Sequence, residues 1–224
     1  MDVLALAGDG QADRLSAAVS DKLSSISTPV LVNALFGGRV LSVVTEEWAR
    51  YDISFIEATD LVRYNANSLR PLFNKTGRAP SARPDAPYQV APEALLKLVQ
   101  EFLRVLGLAV VVVGREEYEL GLSGVDLLRR MTLDLMLEEN DVAPWNRGGA
   151  LRRNPLLTDE QRLALSSIPP QSATRESMIR ASEAFAAIFL PRARRLALHV
   201  GMTWPADLEE ATRRALGDRL HMKI

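Results

Sequence analysis

Apolar positions follow two different rhythms along this chain. Up to about residue 57 they come in short runs or alternate with polar residues, and from Pro92 onward they recur every three or four residues. MDVLALA predicts a strand stopped by the turn formers Gly8-Asp9-Gly10. Ala12 to Ile26 then carries Leu15, Ala18, Val19, Leu23 and Ile26 at helical spacing. VLVNALF and RVLSVVT flank Gly37-Gly38, which predicts a hairpin, and WARYDISFIE (Trp48 to Glu57) is a further strand. There Ala49, Tyr51, Ile53 and Phe55 fall on one face and Arg50, Asp52 and Ser54 on the other.

Periodicity is lost over 66–91, a proline-rich stretch with Pro71, Pro80, Pro84 and Pro87, so a linker or wrapping loop is expected. Pro92 suits a first helical turn, and Leu95, Leu96, Val99, Phe102, Leu103 and Leu106 form a broad apolar face. Val110 to Val113 is locally ambiguous, since β-branched residues favour strands, and is assigned to a helix or helix end. Helices are expected over Gly121 to Glu139, over Thr158 to Ser166 with a Thr158 and Gln161 capping box, over Ala173 to His199, and from Trp204-Pro205 to about Leu220. Pro191 should kink or break the long one. The fold class is therefore α/β (α+β), a small mixed sheet with a helix at 1–65, a connection at 66–91 and an all-α helical bundle at 92–224.

Composition narrows the chemistry. The 224 residues carry a net charge of −1, which argues against a dedicated nucleic-acid binder. Cysteine is absent, so thiolate metal sites are excluded, and with His199 and His221 as the two histidines a multi-histidine zinc site is not expected. A metal here would be a hard cation on carboxylates, Mg²⁺ before others. The most apolar stretch, Leu95 to Val113, is interrupted by Lys97, Gln100, Glu101 and Arg104, and no signal-peptide pattern opens the chain; no membrane association and a cytoplasmic location are expected. Gly8-Asp9-Gly10 lacks the Gly-Lys-Ser/Thr of a phosphate loop, and no G-x-S-x-G, H-E-x-x-H or EF-hand pattern occurs.

Asp52 is the anomaly, because aspartate is depleted in strands. One explanation is an exposed sheet face with Asp52 paired to a neighbouring arginine. The other comes from a likeness to a known family. In the order of its elements and in VVTEEWARYDISF, LRPLFNKTG and GREEYELGLSGVDLLRRMTLDLMLEEN, the chain resembles the polymerase-β-like nucleotidyltransferase superfamily, and within it the bacterial aminoglycoside and lincosamide nucleotidyltransferase-like proteins. That family carries a Gly-Ser loop, D-x-D on the first core strand and a third carboxylate on a later strand. The resemblance puts Asp52 at the third carboxylate, as catalytic and metal-binding residue, and Asp2 at the second Asp of D-x-D, with Met1 between. The first Asp and the Gly-Ser loop would then precede residue 1, so this polypeptide is expected to have an incomplete catalytic front and to transfer nucleotides poorly or not at all.

The implied reaction is transfer of a nucleoside monophosphate, AMP being the expected group, from a nucleoside triphosphate to a hydroxyl of a small acceptor. Mg²⁺ or Mn²⁺ is the implied cofactor. Arg115, Glu116, Glu117 and Trp145 are the candidate acceptor-binding residues, against the alternative of a solvated helix face for the first three and of a covered core edge for Trp145. Glu138, Glu139 and Asp141 are more simply a charged helix end, and of Arg129-Arg130 at most one can face a given site, since neighbours on a helix diverge by about 100°. The rival from another class is a non-catalytic binding or interaction protein that keeps this fold. The first strand is expected inside the sheet beside the strand of Asp52, with the two carboxylates repelling one another.

Overall fold

The computed structural model describes residues 2–64, 66, 69–75, 77–80, 87–147 and 152–224. The chain forms two compact units, Met1–Ala86 and Pro87–Ile224.

The first unit contains β1 (Asp2–Leu6), α1 (Ala12–Lys22), β2 (Pro29–Leu35), β3 (Val40–Thr45) and β4 (Arg50–Ile56). These form a mixed four-stranded sheet in the order β1-β4-β3-β2. β1 runs parallel to β4, whereas β3 is antiparallel to both β2 and β4. A parallel pair needs a long connection between its strands, and α1 with the β2–β3 hairpin supplies it. The hairpin turns through Phe36, Gly37 and Gly38, all at positive φ, where glycine costs least. Alternation puts Leu41, Val43 and Phe55 on the face that packs on Ala12 and Leu23, with Ala5, Tyr51 and Ile53 alongside. The Ser16 hydroxyl ties α1 to the hairpin by donating to the Gly38 carbonyl at 2.6 Å.

Two expectations need correction. β1 lies at one end of the strand order rather than inside the sheet, because β4 uses its other side to pair with β3. The strand of Asp52 starts at Arg50, since Trp48 takes a positive φ in the turn after β3. Between Arg63 and Pro92 no α-helix or strand occurs among the described residues; Pro84 lies outside them.

The second unit contains α2 (Pro92–Gly107), α3 (Ala109–Gly114), α4 (Tyr118–Glu139), α5 (Asp159–Ser166), α6 (Arg175–Val200) and α7 (Ala206–Leu220). The apolar stripe of α2 is buried throughout at Leu95, Val99, Phe102, Leu103 and Leu106. Phe102 stacks on Phe189 of α6 with ring centroids 3.7 Å apart. The valine run is helical, because α3 continues from α2 through the Val112 N–H to Leu108 carbonyl bond and lays Val110 and Val113 on the core. Gly121 brings α4 close to α3; a Cβ there would stand 2.7 Å from Val112 Cγ1. The capping box at Thr158 and Gln161 forms as the sequence implies.

No break occurs at Pro191: α6 runs through it to Val200. Burial on both sides explains the persistence, with Phe185, Phe189, Leu190 and Ala193 in the core. Arg192 is also buried, at 8% exposure, and donates to Glu139 at 2.7 Å and to Glu160. No helix among the described residues is long and apolar enough to cross a membrane.

Candidate functional site

Strand register assembles the acidic position. Asp2 of β1 lies opposite Asp52 of β4, Asp52 opposite Ser42 of β3, and Ser42 opposite Asn33 of β2. Partners in register project from the same face, so these four make a polar row across the whole sheet. Leu4 and Ser54 form the next pair along that face. The row lies opposite the face that α1 covers, which is why a strand can carry aspartate at its centre without burying it in the core.

Asp52 is held as an anion. The Arg50 guanidinium, two residues earlier on the same strand face, donates to Asp52 Oδ2 at 2.9 Å. A hydrogen bond from Ser42, foremost, and then the one from Arg50 hold the Asp52 carboxyl below its usual range. The expected mutual repulsion of the two carboxylates would have raised it. Ser42 and Arg50 outweigh burial, which pushes the other way, so the carboxyl is held low although the two predicted neighbours are in register.

This geometry limits what the row can hold. No group of three or more His, Cys, Asp or Glu that could bind a metal occurs among the described residues. Asp2 and Asp52 by themselves suit one hard cation with water completing its shell. Met1, the middle position of the implied motif, lies outside the described residues.

The remaining sequence candidates are scattered over the helical unit. Arg115 and Glu116 form the exposed turn after α3, with Glu116 at positive φ, and Glu117 immediately precedes α4 without a side-chain capping bond; the expected helix face is a turn. Trp145 stands edge-on to Tyr88 with centroids 5.8 Å apart. Arg129 and Arg130 diverge as expected, the first over the Phe185 ring and the second onto Asp126. His199 is exposed, and His221 closes α7 at positive φ.

Sequence reasoning missed a second polar cluster. Glu138 is buried, pairs with Arg147 at 2.6 Å and accepts a hydrogen bond from the Tyr88 hydroxyl at 2.7 Å. Burial, and then the Glu138 carboxylate, push the Tyr88 phenol up to about 12. The signal existed in α4: the buried positions Leu128, Met131, Leu135 and Glu138 share one helical phase, so Glu138 sits where an apolar residue would. Nothing in the sequence pattern pointed to Arg147 or Tyr88 as its partners.

No family model matches the chain, and no curated protein matches it in sequence. Among solved structures it is similar to an aminoglycoside 6-adenyltransferase from Bacillus subtilis. The two are 15% identical, the match covers 96% of this chain and 87% of that one, and the TM-score is 0.48. A likeness at this level bears on neither substrate nor mechanism.

Proposed function

We propose that this chain is a nucleotidyltransferase-like protein that transfers a nucleoside monophosphate, AMP being the expected group, from a nucleoside triphosphate to a hydroxyl of a small acceptor. In that reaction an acceptor oxygen bonds to the α-phosphorus, the bridging P–O bond breaks, and pyrophosphate leaves. The observation that carries the proposal is the register of Asp2 with Asp52 on parallel neighbouring strands, extended by Ser42 and Asn33.

The donor set fits one Mg²⁺ or Mn²⁺ ion, with Asp2 and Asp52 holding it. A bound divalent ion would neutralise charge on phosphoryl oxygens. The chain's own contribution is positional. The low pKa of Asp52 makes it a weak base and a persistent anion, suited to holding a cation or aligning a hydroxyl. Its strand backbone fixes that oxygen within the sheet. Ser42 holds the carboxylate in place, and Asn33 extends the row with further hydrogen-bonding groups. Arg115, Glu116, Glu117 and Trp145 remain the proposed acceptor contacts.

A second reading, a non-catalytic binding protein with the same fold, is favoured by the 2.9 Å Arg50–Asp52 pair, which already gives Asp52 a cationic partner. Thermal melting with and without Mn²⁺ separates the two. Under the enzyme reading the parent gains stability by mass action, about 2.7 kcal/mol at a hundredfold excess of ion over Kd. Asp52→Asn should abolish that gain. Metal-dependent pyrophosphate release from ATP with a hydroxylated acceptor completes the test. A parent whose melting ignores Mn²⁺ and which releases no pyrophosphate supports the binding protein instead.

A further inference from the structure

The sheet ends at β2, the last strand in the order β1-β4-β3-β2. Edge strands are normally protected by charge, by proline within the strand or by a covering element. Here no charged residue occurs from Leu23 to Gly38, Pro29 stands at the first position of the strand, and the one register shift lies beside it. Val30, Leu31, Val32 and Leu35 are exposed, as is Phe36, at 82%, in the turn that follows. Among the described residues no β2 side chain takes part in the core around Leu41, Val43 and Phe55. Single apolar residues are ordinary on a surface, whereas a contiguous run of them marks an interaction surface.

The backbone and side chains of β2 specify what can cover it. The Phe55 N–H donates to the Arg39 carbonyl at 2.8 Å, so alternation directs Val40, Ser42 and Val44 of β3 toward β2, where they meet Leu35, Asn33 and Leu31. Val32 and Ala34 consequently turn their N–H and C=O groups away from the sheet, a pattern that only another strand matches. Asn33 is the one polar side chain on β2, and its exposed amide has no hydrogen-bond partner among the described residues. Asparagine is depleted in strands, and a carboxamide both donates and accepts, so it can pair with its own copy.

We propose that a second copy of this chain covers β2, the two strands pairing antiparallel about a twofold axis at Asn33. In that register Val32 meets Ala34 of the second copy through backbone hydrogen bonds, Leu31 meets its Leu35, and Val30 approaches its Phe36. Asn33 meets Asn33, amide on amide, whereas centring the pair on Val32 would set that amide against Leu31. The lone amide thus fixes the register, as a single asparagine does in an apolar coiled-coil seam. Every other contact joins apolar groups without a charge, so β2 complements its own reverse, as a twofold interface requires. The polar rows of the two sheets become continuous at the axis. Asp52 and its counterpart still stand roughly 24 Å apart, across five strand spacings, against a screening length of about 8 Å at physiological salt. The acidic groups therefore do not oppose the pairing. The inference is independent of the reaction proposed for the sheet, and its test involves neither nucleotide nor metal.

Sedimentation velocity of the full chain at increasing concentration tests the association, and disulfide trapping tests the register. A reversible dimer with Kd on the order of micromolar is expected, since one strand pair is a small interface. Leu31→Lys, at an exposed position, should weaken it by about tenfold or more by placing a charge against Leu35 of the second copy. The chain contains no cysteine, so a single introduced thiol reports cleanly. Asn33→Cys puts two Cα atoms about 4.5 Å apart, within disulfide reach, and should cross-link in oxidised glutathione. Phe36→Cys is highly exposed, but its counterpart lies roughly 20 Å away, so it should cross-link far more slowly. A parent that stays monomeric at ~100 μM overturns the inference, as does a dimer that Leu31→Lys leaves intact. Failure of Asn33→Cys to cross-link faster than Phe36→Cys also overturns it, and that comparison decides alone should Leu31→Lys not fold.

Discussion

The two units of this protein handle polar groups in opposite ways. The sheet unit keeps Asp2, Asp52, Ser42 and Asn33 together on the face away from α1, and its core is a single layer around Leu41, Val43 and Phe55. The helical unit buries charge instead. Glu138, Arg192 and Glu209 all lie within or beside a continuous core built from α2, α4, α6 and α7. A sheet with one covered face can present side chains in register at little desolvation cost. A bundle has apolar stripes on every helix, so a charge that falls on a stripe must take its counter-ion inside with it.

The contrast predicts unequal responses to similar changes. The largest should follow Glu138→Ala, which leaves Arg147 buried without its counter-charge and should cost about 3–5 kcal/mol in urea unfolding followed by helical circular dichroism. A loss below about 1 kcal/mol would mean that Glu138 behaves like a surface charge and the contrast fails. Phe189→Ala should cost a comparable ~3–5 kcal/mol by opening the stack on Phe102.

Gly121→Ala should cost about 1–3 kcal/mol, because the new methyl meets the stiff Val112 side chain at 2.7 Å and Met178 at 3.1 Å. A neutral result in the same unfolding assay would show that α3 yields, making the valine helix a loosely held appendage of the core.

Tyr88 sharpens the comparison through pH. Its folded pKa is raised from 10.0 to about 12, so its neutral form stabilises the fold. That contribution is fully present below pH 10 and is lost as pH rises through about 12. Absorbance titration should therefore show one tyrosine ionising late, and Glu138→Gln should bring it down.

The smallest effect belongs to the sheet. Without metal, Asp52→Asn removes a partly exposed pair with Arg50 and should cost under about 1 kcal/mol. Because the folded pKa of Asp52 is depressed, its contribution is present above the unfolded value of 3.8 and lost as pH falls through the folded one. The difference between parent and variant should close in acid. A cost of several kcal/mol at neutral pH would put Asp52 in the class of Glu138 and erase the distinction between the units.

Much of this was legible in one dimension because it depends on neighbours in the chain. Alternation over Tyr51–Phe55 told which face of β4 packs, Gly37-Gly38 marked the hairpin, and Thr158 with Gln161 announced a cap. Each is a local periodicity or a local hydrogen bond, and such preferences survive folding unless packing opposes them. At Pro191 packing did oppose them, and the helix continued. Tertiary structure alone decided three things. It set β1 at the end of the strand order, since strand order is a choice among pairings that alternation leaves open. It gave Asp52 the Ser42 partner on the neighbouring strand, whose hydrogen bond holds its carboxyl low. It also brought Tyr88, 50 residues earlier in the chain, onto the Glu138–Arg147 pair, because a buried charge is matched by whatever group the fold delivers to it, and no spacing rule encodes that delivery.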